Sequence, residues 1–450
     1  MHSQHGYGMT LSACLWMGLF PLLQCGTYSH ITHDKWVFML ILTGVTLLCF
    51  LFDLVFHRHR SIAGFSRESS RRALLPLILC TALLLWIILS CIFSESAPSV
   101  WLLAEDARME GLLTQLCYFL LFCCFFFARV HLMPVLFSAA AGVTLFLFIT
   151  LLQRAGGNPL GLFPAGTSYE LNPEFQGTIG NIDMGTGYLL LLSGLFLHGL
   201  LRLFPLPVKK AADHSGAVIA KRLPPRTVFP AVIYLAGLLV SVWLIVTMDV
   251  QFGMISLGVL LLVTLFRFLP KRLRLPLLIF LIIIALLAIW FWPGQSGGIW
   301  ELHEIVHGRG RLSFGSNRVA VWDYSLRMSK GHLLFGGGSG TFTFRFNSFL
   351  SEHGLVIPNE QDGIPLPDYF DNPHNEYLAH LTDHGIPAVL LFIGLLLLSV
   401  YRKRDGCLPL LAPCSAAVLC YMVQAFFSFS VCLVAPMFWV ILALSFSDPV

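Results

Sequence analysis

The sequence predicts an all-α polytopic membrane protein with about twelve transmembrane helices and one large extracytoplasmic loop. Hydrophobic residues make up 56% of the chain and charged residues only 12%, a balance that does not suit a soluble core. Apolar runs of about 17 to 25 residues, the length that a bilayer core about 30 Å thick requires, recur along the chain. The one long hydrophilic stretch lies between Pro293 and Gly385.

Twelve apolar segments are predicted to span the membrane. They start near Met9, Trp36, Ala73, Leu112, Met133, Met184, Val228, Phe252, Leu275, Ile386, Leu408 and Phe429. Because no Lys or Arg precedes the first segment and no cleavage site is obvious after it, we expect a retained span rather than a signal peptide. The predicted division is residues 1–293 with nine helices, 294–385 as the extracytoplasmic loop domain, and 386–450 with three helices.

The orientation follows from the basic residues, of which 19 among 28 lie in alternate connecting loops. They are Arg58, Arg60, Arg67, Arg71, Arg72, Arg129, Arg202, Lys209, Lys210, Lys221, Arg222, Arg226, Arg267, Lys271, Arg272, Arg274, Arg402, Lys403 and Arg404. Loops rich in Lys and Arg stay in the cytoplasm. The sequence therefore predicts cytoplasmic termini and an outer location for residues 293–385.

Composition excludes some other interpretations. The net charge of +4 arises mostly from these loops, so it does not predict a nucleic-acid partner. The 12 cysteines lie in or beside apolar runs, and none falls between Trp292 and Tyr401. We expect them to be small apolar side chains rather than a disulfide framework.

The strongest site candidate is His374, at the point where the long loop returns to the membrane. It is followed by the amide of Asn375 and the carboxylate of Glu376. A histidine in such surroundings can handle protons beside a lipid-borne substrate. The structural alternative is a helix start, with Asn372 as N-cap, residue 373 as the first helical position and residue 385 as the stop.

Four arginines in the outer loop run against the topological rule and need another reason. They are Arg309, Arg311, Arg318 and Arg327. Guanidinium groups match phosphate oxygens in bidentate geometry, so these side chains can bind a diphosphate. The alternative is an amphipathic helix over 318–328 with Val319, Trp322 and Leu326 as its buried stripe. Both interpretations can hold together, and for Arg327 a structural role is as probable as a ligand role.

Three other patterns are weaker. The glycine run 336–340 has no Lys after it, so we expect a tight turn rather than a nucleotide loop. His380 and His384 have a spacing that suits a metal on one helix face, but without a third ligand we expect ordinary helix residues and no metal. Asn181 and Asp183 end a loop rich in Gly, Pro and Asn. They either face the cavity of His374 or cap the next helix.

Three separated segments then occur in an order that is typical of one family. They are residues 180–181 (GN), residues 318–322 (RVAVW) leading to 334–342 (LFGGGSGTF), and residues 373–378 (PHNEYL) followed by 384–387 (HGIP). With these segments the chain resembles the O-antigen ligase and O-antigen polymerase superfamily, from about residue 153 onward.

The resemblance implies a membrane glycosyltransferase of the GT-C type that needs no metal or other cofactor. Similar enzymes take a glycan from undecaprenyl diphosphate at the outer face of the plasma (inner) membrane and pass it to a hydroxyl of a glycan, lipid or protein acceptor. By this resemblance His374 and Arg318 are catalytic. The substrate-binding candidates are Arg309, Arg311, Asn375, Glu376, Asn181 and Asp183.

One position departs from the family. Similar proteins often carry a Ser-Arg pair at an outer helix end, whereas this chain has residues 247–253 (TMDVQFG), with Gln251 near the expected arginine. The missing guanidinium would weaken diphosphate binding.

Two other function classes remain open from the residues alone. Twelve spans with cytoplasmic termini are also a common transporter layout, so a small-anion transporter is one alternative. Against it, the spans hold almost no central charges. A non-catalytic protein of envelope assembly is the other alternative.

Overall fold

The fold is almost entirely helical. The computed structural model describes residues 7–56, 70–104, 108–204, 225–357, 370–401, 414–429 and 431–447. Their α-helices are α1 Tyr7–Cys14, α2 Ile31–Phe56, α3 Ser70–Ile92, α4 Pro98–Leu103, α5 Leu112–Phe127, α6 Leu132–Arg154, α7 Ile182–Leu203, α8 Pro225–Met248, α9 Gln251–Phe268, α10 Lys271–Trp290, α11 Gly298–Val306, α12 Arg318–Ser329, α13 Phe342–Glu352, α14 Glu376–Tyr401, α15 Ser415–Ala425 and α16 Ala435–Phe446. Two short strands, β1 Phe175–Gln176 and β2 Gly180–Asn181, pair antiparallel before α7. The predicted all-α polytopic membrane class is confirmed.

Each of the twelve predicted spans coincides with an apolar helix. Seven of these helices are long and apolar enough to cross a membrane, and five are shorter. A helix of about 12 residues covers only about 18 Å, less than the bilayer core. Such short helices are tolerated where protein surrounds them, and every residue of α16 is buried. The number of crossings therefore stays a prediction.

Two of the last three predicted starts differ from the starts of the helices. The helix predicted from Ile386 begins ten residues earlier, at Glu376, because polar residues continue the helix outside the apolar run. The helix predicted from Phe429 begins at Ala435. The predicted start at Leu408 lies outside the described residues, as do the basic residues at 57–69, 205–224 and 402–413.

Helix α7 forms the centre of the bundle and is buried along most of its length. It packs against α8 on one side and α15 on the other, while α14 packs on α3 and α16 on α5. None of the eleven cysteines in the described part of the chain forms a disulfide, and seven of them are buried.

The outer loop has a small apolar core of its own between α12 and α13. Ala320, Val321 and Tyr324 of α12 pack there with Phe342 and Phe346. The predicted buried stripe of Val319, Trp322 and Leu326 was therefore wrong, since Leu326 is exposed. The helix turns a neighbouring face inward because it packs against both α13 and α14.

Candidate active site

The segment before α14 holds His374 in a defined turn. His374 has a left-handed backbone, with φ at 49°, a conformation in which histidine is enriched among non-glycine residues. Its N–H donates to Asn372 Oδ1 at 2.8 Å, which makes an Asx turn. The helix begins only at Glu376, and Asn375 Oδ1 accepts from Leu378 N at 3.0 Å. The predicted N-cap at Asn372 was therefore wrong; Asn375 is the cap.

Aromatic side chains fix the histidine ring. Phe429 meets it edge to face at 5.2 Å between ring centroids. Trp322 of α12 donates from Nε1 to Pro373 O at 2.9 Å and so ties the turn to the outer loop. His374 Nδ1 is buried and has no hydrogen-bond partner among the described residues. An unpaired buried imidazole nitrogen is costly unless a substrate completes it.

Arg318 and Asp183 meet at the N-terminal end of α7. Arg318 Nη2 lies 3.8 Å from Asp183 Oδ2, and Nη1 donates to Gly315 O at 3.1 Å. Arg318 Nε is buried and has no partner in the described chain. The guanidinium therefore keeps a free donor beside its counter-ion. Asn181, by contrast, caps α7 by accepting from Asp183 N at 2.8 Å.

A second arginine, which the sequence interpretation missed, completes the cluster. Arg108 pairs through Nε with the carboxylate of Asp371. Its guanidinium lies 4.6 Å above the ring of Phe429, so Phe429 contacts both this cation and His374. Arg108 belongs to the predicted outer connection before α5. An arginine on the predicted outer side contradicts the topological rule, and that signal would have identified it.

Two cations and burial weaken His374 as a base. Burial first, then Arg318 and, less strongly, Arg108 lower the pKa of His374 from 6.5 to about 4, while Asp371 opposes them. The ring is therefore neutral at pH 7 in the absence of substrate.

A small cavity of about 70 Å³ lies beside this cluster. Arg108, Asp371, Glu110, Glu376 and His380 are among the residues that line it. Its volume lies well below the range of about 300–1,000 Å³ that is usual for small-molecule pockets. Burial raises the pKa of Glu110 to about 8, so this carboxyl is mostly protonated at neutral pH.

The remaining predicted residues take other places. Glu376 Oε2 is buried without a partner among the described residues, in the wall of this small cavity. Arg309 forms two hydrogen bonds with Glu304, at 2.9 and 2.6 Å, on the exposed end of α11. Arg311 is exposed. The structure brings His374, Arg318 and Asp183 together, and it gives Arg309 a carboxylate partner of its own.

Similar proteins often carry an arginine in the segment that corresponds to residues 247–253. In this structure Arg154, from another helix, contacts that segment. Gln251 is exposed at the start of α9. Arg154 extends to this segment from the end of α6 and donates to Thr247 O at 3.4 Å. It also donates from Nε and Nη2 to Gln176 Oε1, at 3.1 and 2.7 Å. This guanidinium is therefore already engaged.

His380 and His384 are hydrogen bonded inside the outer part of α14. Their Nδ1 atoms are 3.4 Å apart, and His384 Nε2 lies 2.9 Å from Ser339 Oγ. In the described ranges no group of three His, Cys, Asp or Glu side chains has the arrangement of a metal site. These contacts give both histidines a structural role, in the packing of α14 against the glycine run 336–340.

Comparison with known proteins identifies one family. Residues 236–393, about a third of the chain, match the family model of O-antigen ligase. The match includes Arg318 and His374 and confirms the resemblance to the ligase and polymerase superfamily; Arg108 and Asp183 lie outside it. No curated protein matches the chain significantly.

Proposed function

The chain carries an O-antigen ligase domain at residues 236–393, and from this premise we propose that it transfers a glycan from undecaprenyl diphosphate to an acceptor hydroxyl. The transfer takes place at the outer face of the plasma membrane, with both termini in the cytoplasm. A membrane protein of glycan transfer, of ligase or polymerase type, is the coarser conclusion on which this proposal builds.

One observation carries the proposal. Arg318, Asp183 and His374 come from three separate segments and meet in one cluster, where Arg318 Nε and His374 Nδ1 are both buried without partners in the described chain. Buried donors and acceptors without partners are rare in a folded protein. A phosphate oxygen at Arg318 Nε and an acceptor hydroxyl at His374 would satisfy both.

The two arginines supply the charge that a diphosphate needs. Arg318 and Arg108 each have a carboxylate nearby, Asp183 and Asp371 respectively. These carboxylates hold the guanidinium groups in place while the donor is absent. Because guanidinium binds phosphate oxygens through two parallel hydrogen bonds, both arginines can turn part of their donors to the diphosphate.

The reaction is a displacement at the anomeric carbon. The acceptor oxygen forms the new bond, the bond from carbon to phosphate oxygen breaks, and the electron pair leaves with undecaprenyl diphosphate. His374 accepts the hydroxyl proton. Since the leaving group is already good, the protein mainly positions the reactants and neutralises charge.

The test is transfer in proteoliposomes supplied with a lipid-linked glycan and an extract of envelope acceptors. His374→Ala and His374→Gln should reduce transfer about 10²- to 10⁴-fold, the usual contribution of a positioned base. Arg318→Lys should reduce it about 10- to 100-fold, because the fork to the diphosphate is lost. All variants should reach wild-type abundance.

Arg327→Lys is the matched control, since Arg327 pairs with Asp323 on the exposed side of α12. It should keep full activity. Uptake of small anions by the same proteoliposomes without any glycan transfer would instead support the transporter, and silence in both assays would support an assembly protein. Near-normal transfer by His374→Gln would show that His374 positions the acceptor and that Asp371, Glu376 or Asp183 is the base.

A further inference from the structure

A second and larger cavity lies on the other side of the glycine run 336–340. Its volume is about 480 Å³, within the usual range of about 300–1,000 Å³ for small-molecule pockets. It opens between the end of α3 and the start of α13, and we call it the glycine-walled cavity. Gly340 lines both this cavity and the small one beside Asp371. The two spaces are therefore neighbours.

Glycine is required in the wall of this cavity. A Cβ on Gly337 would lie 2.0 to 2.4 Å from the guanidinium of Arg345, and Gly336 has φ at 66° with a Cβ position 2.3 Å from the backbone of Asp383. Gly337 N and Gly338 N donate to Thr382 O and Asp383 O of α14, at 3.0 and 2.8 Å. The run is therefore held flat against α14, and the missing side chains allow this close approach.

Two exposed phenyl rings border the opening. Phe93 is 60% exposed and Phe344 is 70% exposed, and both line the cavity. The ring of Phe93 packs on Phe335 at 4.6 Å between centroids, so its orientation is fixed. Flat apolar faces around a polar floor suit a ring that has apolar faces and polar edges.

Charged groups provide the polar floor. Arg345 Nη1 donates to Thr382 O at 2.7 Å, while Nη2 is buried without a partner among the described residues. Glu95 lines the same cavity from the loop after α3. The Glu95 carboxylate accepts from sugar hydroxyls, and a rotation of the Arg345 side chain would turn its unpaired Nη2 toward them as a donor.

We propose that the glycine-walled cavity binds one pyranose ring, from either the donor glycan or a sugar of the acceptor. The inference rests on the proposed transfer only for the source of that sugar. The small cavity is below the usual size of a small-molecule pocket, whereas this neighbour is within it. The cavity would hold a sugar beside the small cavity that Asn372 and Pro373 line, one residue from His374.

Saturation-transfer NMR on the full chain in nanodiscs tests this binding without turnover. The probes are methyl β-D-glucopyranoside, methyl β-D-galactopyranoside and methyl β-D-glucopyranosiduronate. The wild-type chain should bind at least one of them. Phe344→Ala should weaken that binding about fivefold, because a phenyl face covering the ring no longer removes apolar area from water. Phe93→Ala should act in the same direction.

Phe291→Ala is the matched control, because Phe291 is 72% exposed at the end of α10 and does not line the cavity. Its binding should equal that of the wild type. Absence of binding to all three probes, or equal binding by the wild type and Phe344→Ala, overturns the proposal. Such a result would leave Phe93 and Phe344 as anchors at the membrane interface.

A competition arm identifies the source of the sugar. Displacement of the bound probe by an undecaprenyl-diphosphate-linked glycan assigns the cavity to the donor, and retention of the probe assigns it to the acceptor. The inactive His374→Ala variant should bind the probes like the wild type. Loss of transfer and loss of sugar binding are therefore measured separately.

Discussion

His374 occupies a position in which it is a weak base until a donor arrives. Its ring is buried, and the charges of Arg318 and Arg108 favour the neutral form. A diphosphate bound between the two arginines would offset their charge and raise the pKa of the histidine. The proton acceptor would then gain strength only in the complex that needs it, which limits wasteful hydrolysis of the donor.

The pH dependence of transfer should reveal this coupling. A base works while it is unprotonated, so activity is lost as the pH falls through its pKa. In the free enzyme that pKa is about 4, so kcat/KM should stay level down to about pH 5. The limb of kcat, which reports the donor complex, should lie at higher pH. Rates measured against pH at limiting and saturating donor check this, and two coincident limbs near pH 6.5 would contradict it.

Arg108 should act mainly through donor binding. Arg108→Lys keeps a positive charge beside Asp371 but loses the planar fork, so the KM for the donor should rise about tenfold. Steady-state kinetics with varied lipid-linked glycan measure the change. Arg327→Lys serves again as the control. An unchanged donor KM for Arg108→Lys would remove this arginine from the diphosphate site.

Part of the site was predictable because its residues break local rules. His374 is a titratable side chain at a return to lipid, and Arg318 is a basic residue on the outer side; both observations can be made within a few residues. The partnership of Arg108 with Asp371 joins positions 263 residues apart. No local pattern encodes such a contact, although Arg108 breaks the same topological rule as Arg318.

At the scale of elements, the break in α14 fixes the position of the His374 turn relative to the membrane helices. Gly385 has φ at 78° and ψ at 179°, so α14 consists of an outer part and a membrane part that meet at this residue. The backbone just before the glycine run packs into the break, where Ile386 N donates to Leu333 O at 2.8 Å. The outer part carries the turn of His374.

Gly385→Ala should therefore destabilise the protein. Its backbone region is almost exclusive to glycine, and a Cβ would lie 2.1 Å from Leu334 O. We expect a loss of about 3 kcal/mol, which reflects strain and the displaced glycine run. Thermal unfolding in detergent and abundance in the membrane measure it.

Gly394→Ala is the matched control in the same helix, because the nearest atom to its Cβ position is 3.9 Å away. Gly394→Ala should leave the unfolding temperature unchanged or raise it slightly, because alanine is more favourable than glycine in a helix. Equal effects of the two substitutions would show that the break is not needed.

The length of the apolar runs predicted where the helices lie. It could not predict which face of a helix is buried or where the helix starts, because tertiary packing and capping determine both. Each apolar run became a helix because the backbone in lipid must satisfy its own hydrogen bonds. The buried face of α12 was misjudged since Ala320, a small residue with little apolar weight, lies at its centre. The start of α14 was misjudged since Asn375, not Asn372, makes the cap.

At the scale of the whole molecule, several outer connections meet at one place. Arg108 precedes α5, Asp183 begins α7, Arg318 and His374 belong to the long loop, and Phe429 follows α15. The predicted topology puts all of these connections on the same side of the membrane. Their contacts with one another are consistent with a common side.

Topology reporters test the orientation. A reporter active only outside the cytoplasm should be active when fused near Glu352 and silent when fused near Ala217. The second position belongs to the basic segment 205–224, outside the described residues. A reporter active only in the cytoplasm should give the opposite pattern at both positions. A reversed result would put the glycan site in the cytoplasm.

The ion pair between Arg108 and Asp371 can form only late in the synthesis of the chain. The carboxylate leaves the ribosome 263 residues after the arginine, which at about 5–20 residues per second takes roughly 13 to 50 s. Phe429, which stacks under Arg108, follows later still. During this interval the nascent chain has most of its helices but lacks part of the proposed diphosphate site. The proposed transfer would therefore begin only when synthesis is nearly finished.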